Sequence, residues 1–338
     1  MERREYMKKQ ELLRHVGGIH QLGGIRDYTF SEGKQKGVRA LEFSTGKLRF
    51  TVLPDRNMDI AYADYKGTSL SWMSKTGITA PSFYEPEGDN WHYGFYGGLL
   101  TTCGLRSIGI PCTHQNESFG LHGRISNIPA SKISVSEDWE EDNYILSASG
   151  QMREAKVFSE NLVLKRQITA KLGDSMFTIK DTIVNEGFRP EGFLILYHMN
   201  MGYPLVSDGA HLVFPKGKMT NRDPLTEEEL FRYPEIHGPV HGYQEQCCFF
   251  DFEENHVRVE LQNPSLPDFK GIFIEYEKDQ LPNFTVWKML GESEYVVGLE
   301  PGTALPIGRT AAEEAGLIKT LQPMEEYHTQ ITFGILEK

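Results

Sequence analysis

Apolar and polar residues alternate with a period of two along most of this chain, the spacing of strands that bury one face. In 47–53 (KLRFTVL), Leu48, Phe50 and Val52 share a face. Pro54-Asp55-Arg56-Asn57 reads as a turn leading into a short strand over 58–62, and Gly67 and Thr68 turn the chain into 70–73. Further on, the pattern predicts strands over 133–135, 144–150, 162–170, 177–184, 257–262, 271–277 and 329–336. Asn185-Glu186-Gly187 marks a turn before the next apolar run. Helix is predicted only in an amphipathic N-terminal stretch stopped by Gly17-Gly18, and over 226–233 (TEEELFRY) with Thr226 as its cap. Repeats, low-complexity tracts and linkers do not appear. The expectation is an all-β chain: a large, mainly antiparallel β-sandwich in one domain spanning 1–338, with 1–20 as a helical extension.

Three stretches break the alternation. Residues 77–130 crowd glycine, proline and aromatics with little periodicity; Phe83, Tyr84, Trp91, Tyr93, Phe95 and Tyr96 argue against disorder. This is expected to be an ordered, irregular segment covering one face of a sheet. Residues 193–205 (FLILYHMNMGYPL) read as a buried strand that nevertheless carries His198 and Asn200. An imidazole or amide left unpaired there costs about 1–3 kcal/mol. Residues 296–303 (VVGLEPGT) run apolar side chains into a single carboxylate, Glu300. Buried glutamates are rare unless paired.

Composition narrows the function class. The chain has 338 residues, 39% hydrophobic and 24% charged, enough for a sizeable core. A net charge of −12 argues against a nucleic-acid partner, because the basic residues near the N-terminus are interleaved with acidic ones. Nothing approaches the apolar length of a membrane span, and the N-terminus lacks the apolar core of a signal peptide. The four cysteines form no CxxC pair, and adjacent Cys247 and Cys248 point to opposite faces of a strand, so a reducing cytoplasm is expected.

Polar groups among apolar ones mark four places: His122-Gly123-Arg124, His198 with Asn200, Glu245-Gln246, and Glu300. Metal, dinucleotide, phosphate-loop and serine-hydrolase signatures are absent. His92, His114 and His122 share a glycine-rich loop that could hold a metal; scattered loop histidines are the commoner case, so no metal is assigned. Two of these places also have a plain reading, His198 as a satisfied core histidine and His122-Gly123-Arg124 as a turn with a surface cation, and so does Trp287, as core packing.

The order of these motifs resembles the galactose mutarotase-like superfamily, the aldose 1-epimerases. TIVNEGFRPEGFLILYHMNMGYPL (182–205) is similar to that family's V-x-N turn and histidine-bearing catalytic strand. LPNFTVWKMLGESEYVVGLEPGT (281–303) is similar to its tryptophan strand and the LEP strand with the catalytic base. GLHGRISNIPA (120–130) resembles the H-G-x-x-R segment of the hexose-phosphate 1-epimerases, and EEYHTQITFGI (325–335) the closing strand. The resemblance covers roughly residues 40–335. The chain departs in HMNMGYPL, where the aromatic after the histidine is missing, in an arginine directly after His-Gly, in Glu245-Gln246 where many members place an aspartate, and in the unmatched 91–111.

The resemblance implies cofactor-free interconversion of the anomers of a free sugar. Glu300 is the expected base on the anomeric hydroxyl and His198 the expected acid on the ring oxygen, several ångström apart across the ring. His122, Arg124, Asn200 and Gln246 are expected to hydrogen-bond sugar hydroxyls, Trp72 or Trp287 to stack on the ring, and Arg56 and Asp59 to assist. Met199 and Met201 would shape the pocket. A sugar-binding protein without catalysis, and an isomerase or epimerase of a keto, uronic or modified sugar, are the alternatives. The expected partner is a small-molecule sugar, with neither nucleic acid nor membrane. A homodimer is compatible with the sequence, which does not itself select an oligomeric state.

Overall fold

The structure, a computed structural model, describes residues 8–338. A 12-stranded antiparallel sheet lies against an 8-stranded one. The first runs Gly24–Thr29, Arg39–Ser44, Leu48–Leu53, Asp59–Tyr65, Leu100–Leu105, Glu191–Met201, Glu294–Gly302, Asn283–Gly291, Gln246–Phe252 and Gly217–Asn221, with two short strands off that path. The second runs His211–Val213, His256–Gln262, Phe269–Glu277, Glu326–Glu337, Met176–Asn185, Asn161–Lys171, Asn143–Ala155 and Ser131–Glu140. The expected all-β, mainly antiparallel sandwich is the observed architecture. The prediction of Thr226 as a helix cap holds too: Thr226 and Glu229 form a capping box at the N-terminus of the helix Glu227–Phe231. Of the predicted N-terminal helix, Lys9–Leu13 is helical and residues 1–7 lie outside the described part.

Side-chain alternation divides the central strand Glu191–Met201 between two environments. Phe193, Ile195, Tyr197, Met199 and Met201 enter the core between the sheets. Leu194 and Leu196 join a second cluster, on the outer side of the first sheet, with Trp91, Phe95 and Cys103. Met199 and Met201 are therefore core residues and cannot shape a pocket on the His198 face; the pleat sends them the other way.

Leu100–Leu105 is a strand that periodicity misses. It lies inside the glycine- and aromatic-rich 77–130 stretch and is buried along its whole length, so its sequence (LTTCGL) does not alternate. Gly24–Thr29 and Arg39–Ser44 were also unpredicted; the first is mostly exposed and too short to show a pattern.

Two expected sugar ligands are part of this frame instead. Arg56, 1% exposed, spends its guanidinium on the Ser126 carbonyl (2.7 Å), the Thr79 carbonyl (2.7 Å) and hydroxyl (2.8 Å), and the Gly94 carbonyl (3.2 Å). It pins the irregular segment to the sheet. Asp59 accepts from the Thr102 backbone (2.9 Å) and hydroxyl (2.6 Å) and from Arg166 Nη1 (2.8 Å), inside the sandwich. Arg166 also grips Asp181 through Nε and Nη2, and the Tyr197 hydroxyl donates to Asp181 (2.7 Å). One guanidinium thus holds two fully buried carboxylates from opposite sheets.

Removing that cation would strand both carboxylates in a low-dielectric interior. Arg166→Met should lower unfolding free energy by about 3–5 kcal/mol in urea titrations at neutral pH; a loss below about 1 kcal/mol would contradict this role.

Candidate functional site

The antiparallel register pairs Met199 with Leu299 and Asn200 with Gly298, which sets His198 directly opposite Glu300 on the outer face of the first sheet. The next strand pairs Thr285 with Glu300 and Trp287 with Gly298, adding two side chains to that face. His198 Nε2 stands 3.1 Å from Glu300 Oε1, and the two side chains are 6% and 2% exposed. The expected separation of several ångström is not what the register produces: the two groups are in contact.

Aromatic rings close over the pair. The rings of Phe95, Trp287 and His122 lie 5.4, 5.2 and 5.5 Å from that of His198, all edge to face. Trp91 stacks on Phe95 at 4.3 Å and sits 4.7 Å from His122, while Trp72 meets Trp287 edge to face at 6.1 Å. The irregular 77–130 segment therefore covers one sheet face, as expected, and supplies Trp91, Phe95 and His122 to it. His122 is held in the left-handed region (φ 58°) and its Nδ1 accepts from the Gly109 backbone at 3.3 Å. That bond fixes the neutral ring with its proton on Nε2.

Burial dominates the electrostatics. It drives the Glu300 carboxyl well above its ordinary range, with Glu245 adding repulsion and Arg222 opposing it. It drives His198 down to about 4, and it drives His122 well below the usual imidazole value, with His198, His92 and Arg222 adding to the effect. Both shifts favour the uncharged forms, a protonated carboxyl facing a neutral imidazole.

The same face concentrates unmade hydrogen bonds. His198 Nδ1, Asn200 Oδ1, Thr285 Oγ1 and Glu300 Oε1 are buried without a partner; Oε1, though near Nε2, is off the line that a hydrogen bond needs. These are four of the nine such side-chain atoms among the described residues. Each unmade bond costs about 1–3 kcal/mol, so gathering four at one place makes this face the candidate site for a polar ligand.

The remaining predicted residues divide. Trp72, Trp287 and His122 line this face. Asn200 is on it, but its Nδ2 donates to the carbonyls of His198 (2.9 Å) and Gly98 (3.2 Å), leaving only Oδ1 free. Arg124 is not there: it is exposed and lines a separate groove with Tyr84 and Glu154, because the turn at Gly123 sends the two neighbours of that glycine to different sides. Gln246 is not there either; it shares a face with Cys248, which is in the core, and accepts from the Tyr243 hydroxyl at 2.8 Å. Its neighbour Cys247 is the residue opposite Trp287. His114 pairs with Glu313 at 3.3 Å, so the three loop histidines are not gathered around one point.

Sequence reasoning missed Thr285, Cys247 and Arg222. Arg222, bonded to Asp223 through Nε (3.0 Å) and Nη2 (2.9 Å) and also to Glu245, acts on both Glu300 and His122. The pattern signal for Thr285 and Cys247 was available, since both lie on predicted strands at the alternate position from core residues. Arg222 lies in a loop with no motif.

A family model described as a domain of unknown function, DUF4432, matches residues 35–335. No curated protein matches the sequence. Among solved structures, a candidate aldose 1-epimerase from Klebsiella pneumoniae is 24% identical, with a TM-score of 0.86 over 93% of this chain and 83% of that one. A galactose mutarotase-like protein from Clostridium acetobutylicum is 13% identical, with a TM-score of 0.61 over 94% and 100% of the two chains. A candidate aldose 1-epimerase from Escherichia coli is 14% identical, with a TM-score of 0.56 over 93% and 100%.

The depressed His198 value has a consequence for stability. Above the ordinary imidazole value of 6.5 neither folded nor unfolded His198 is charged, so it contributes no pH dependence. As pH falls from 6.5 to about 4 the unfolded state takes up a proton that the folded state refuses, and stability drops. The slope from this residue reaches about 1.4 kcal/mol per pH unit. Urea unfolding across that window should show a steeper loss for the parent protein than for His198→Asn; parallel curves would contradict the neutral, buried imidazole.

Proposed function

The chain belongs to the family described as a domain of unknown function, DUF4432, and has the galactose mutarotase-like fold; from that premise we propose that it is an isomerase that interconverts the anomers of a free sugar at the His198–Glu300 face. The observation that carries this reading is a carboxyl and an imidazole in contact at 3.1 Å, buried under aromatic rings and surrounded by unpartnered polar atoms.

Mutarotation needs one group to take the anomeric hydroxyl proton while another delivers a proton to the ring oxygen. The ring opens, the C1–C2 bond rotates, and reclosure reverses both transfers. The two oxygens are close neighbours on one sugar, so an acid and a base side by side suit them once the sugar is inserted between. Burial leaves the mobile proton on Glu300, so the carboxyl donates to the ring oxygen and His198 accepts the anomeric proton. The order expected from the sequence has Glu300 as the base and His198 as the acid. Both orders give the same exchange, because each group plays each part in turn. Thr285, Asn200 Oδ1 and the Nε2–H of His122 would bond sugar hydroxyls, and Trp287 with Trp72 would meet the apolar face of the ring. Entry requires the Trp91–Phe95 cover or Trp287 to shift, since the pair is almost fully enclosed.

One observation favours a second reading. A neutral carboxyl and a neutral imidazole can hold a sugar by hydrogen bonds alone, without exchanging protons with it. Anomer exchange separates the two readings. Saturation-transfer NMR across a panel of free sugars should detect exchange with the intact protein, and His198→Ala and Glu300→Gln should each slow it by about 10²-fold or more. Measurable sugar binding with no exchange would replace the enzyme with the binding protein; exchange unaffected by both substitutions would remove these residues from the chemistry.

A further inference from the structure

The second sheet turns its own outer face to solvent on the side of the molecule away from His198, and that face holds an open depression of about 550 Å³. Its lining follows from register. Gln151 pairs with Lys165, Lys165 with Thr182 and Thr182 with His328, while Gln167 pairs with Lys180 and Lys180 with Gln330. Successive outward positions of four strands thus build a grid of amides, hydroxyls and ammonium groups, and Lys132 from the edge strand completes it. Lys165 and Lys180 are diagonal neighbours in this grid.

Two features set the depression apart from an ordinary solvated sheet face. The protein carries a net charge of −12, yet three lysines converge here. Of these only Lys165 has an acidic partner, Glu326 at 3.1 Å; Lys132 and Lys180 have none among the described residues. The acid in the lining, Asp181, is committed to Arg166 on the buried floor. Second, the side-chain amides of Gln151 and Gln330 make no hydrogen bond among the described residues, and Gln280 uses only its oxygen, on the Gln330 backbone at 2.9 Å. Clustered like charges repel unless an anion joins them, and free amides offer both donors and acceptors.

We propose that this depression is a second binding site, for a carboxylate-bearing oligosaccharide. The lysines would meet the carboxylates and the amide–hydroxyl grid would meet the hydroxyls. The site is independent of the His198 face, which lies on the other sheet.

Titration calorimetry at low ionic strength would test this with three probes: a short uronic-acid oligomer, the neutral oligomer of the same length, and inorganic phosphate. The uronate oligomer should bind, weaken with added salt as exposed charge contacts do, and lose about tenfold or more in affinity in Lys165→Gln/Lys180→Gln. Anomer exchange in that variant should be unchanged. Equal binding of the neutral oligomer would overturn the role of the lysines. Phosphate bound as tightly as the oligomer would overturn the saccharide assignment. Absence of binding, or affinity unaltered in the double variant, would overturn the site.

Discussion

Glu191–Met201 is buried on both sides, and the side-chain period of two gives it no choice about which residue meets which environment. Odd positions fill the space between the sheets. Even positions, ending in His198 and Asn200, are carried to the outer face, where nothing in the strand's own sequence can satisfy them. The antiparallel pairing with Glu294–Gly302 then dictates that the residue opposite His198 is Glu300. Two independently costly groups are thereby made neighbours. Everything else about the site, from the aromatic cover to the unpartnered atoms around it, is arranged about that one register.

The frame that fixes the register is itself polar. Arg166 ties Asp59 of the first sheet to Asp181 of the second, and Tyr197, the residue before His198, donates to that same Asp181. Arg56 performs the corresponding task for the irregular segment, clamping the carbonyls of Thr79, Gly94 and Ser126 so that Trp91 and Phe95 lie over the pair. Buried ions of this kind add little net stability compared with apolar packing, but they penalise any other arrangement of the groups they join. The site is thus held from beneath by one guanidinium and from above by another.

Much of this was readable from residue order. Alternation predicts the sandwich and most of its strands, and the incongruity of His198 and Glu300 in apolar runs marks both before any contact is known. What could not be read is which polar residue lies on which face once the chain leaves regular alternation. Arg56 and Asp59 look like site residues in sequence because they are polar beside a turn; their long-range partners are 23 to 107 residues away and appear only on folding. Arg124 is two positions from His122, yet the left-handed backbone of His122 and of Gly123 between them separates their directions. Leu100–Leu105 hides because a strand covered on both faces has no alternation to show. Arg222 approaches Glu300 from a loop whose sequence carries no sign of it.

The protonation of the central pair is where the account is most exposed. Nitrogen-15 NMR of the His198 imidazole, recorded through pH 8 to 4 with and without a bound sugar, addresses it directly. The expected result is a neutral ring in the free protein down to about pH 5, and a change in its nitrogen shifts when sugar is added. A ring that charges at or above the ordinary imidazole value, or one indifferent to a sugar that the protein demonstrably binds, would contradict the claim that burial poises this pair and that the sugar meets it.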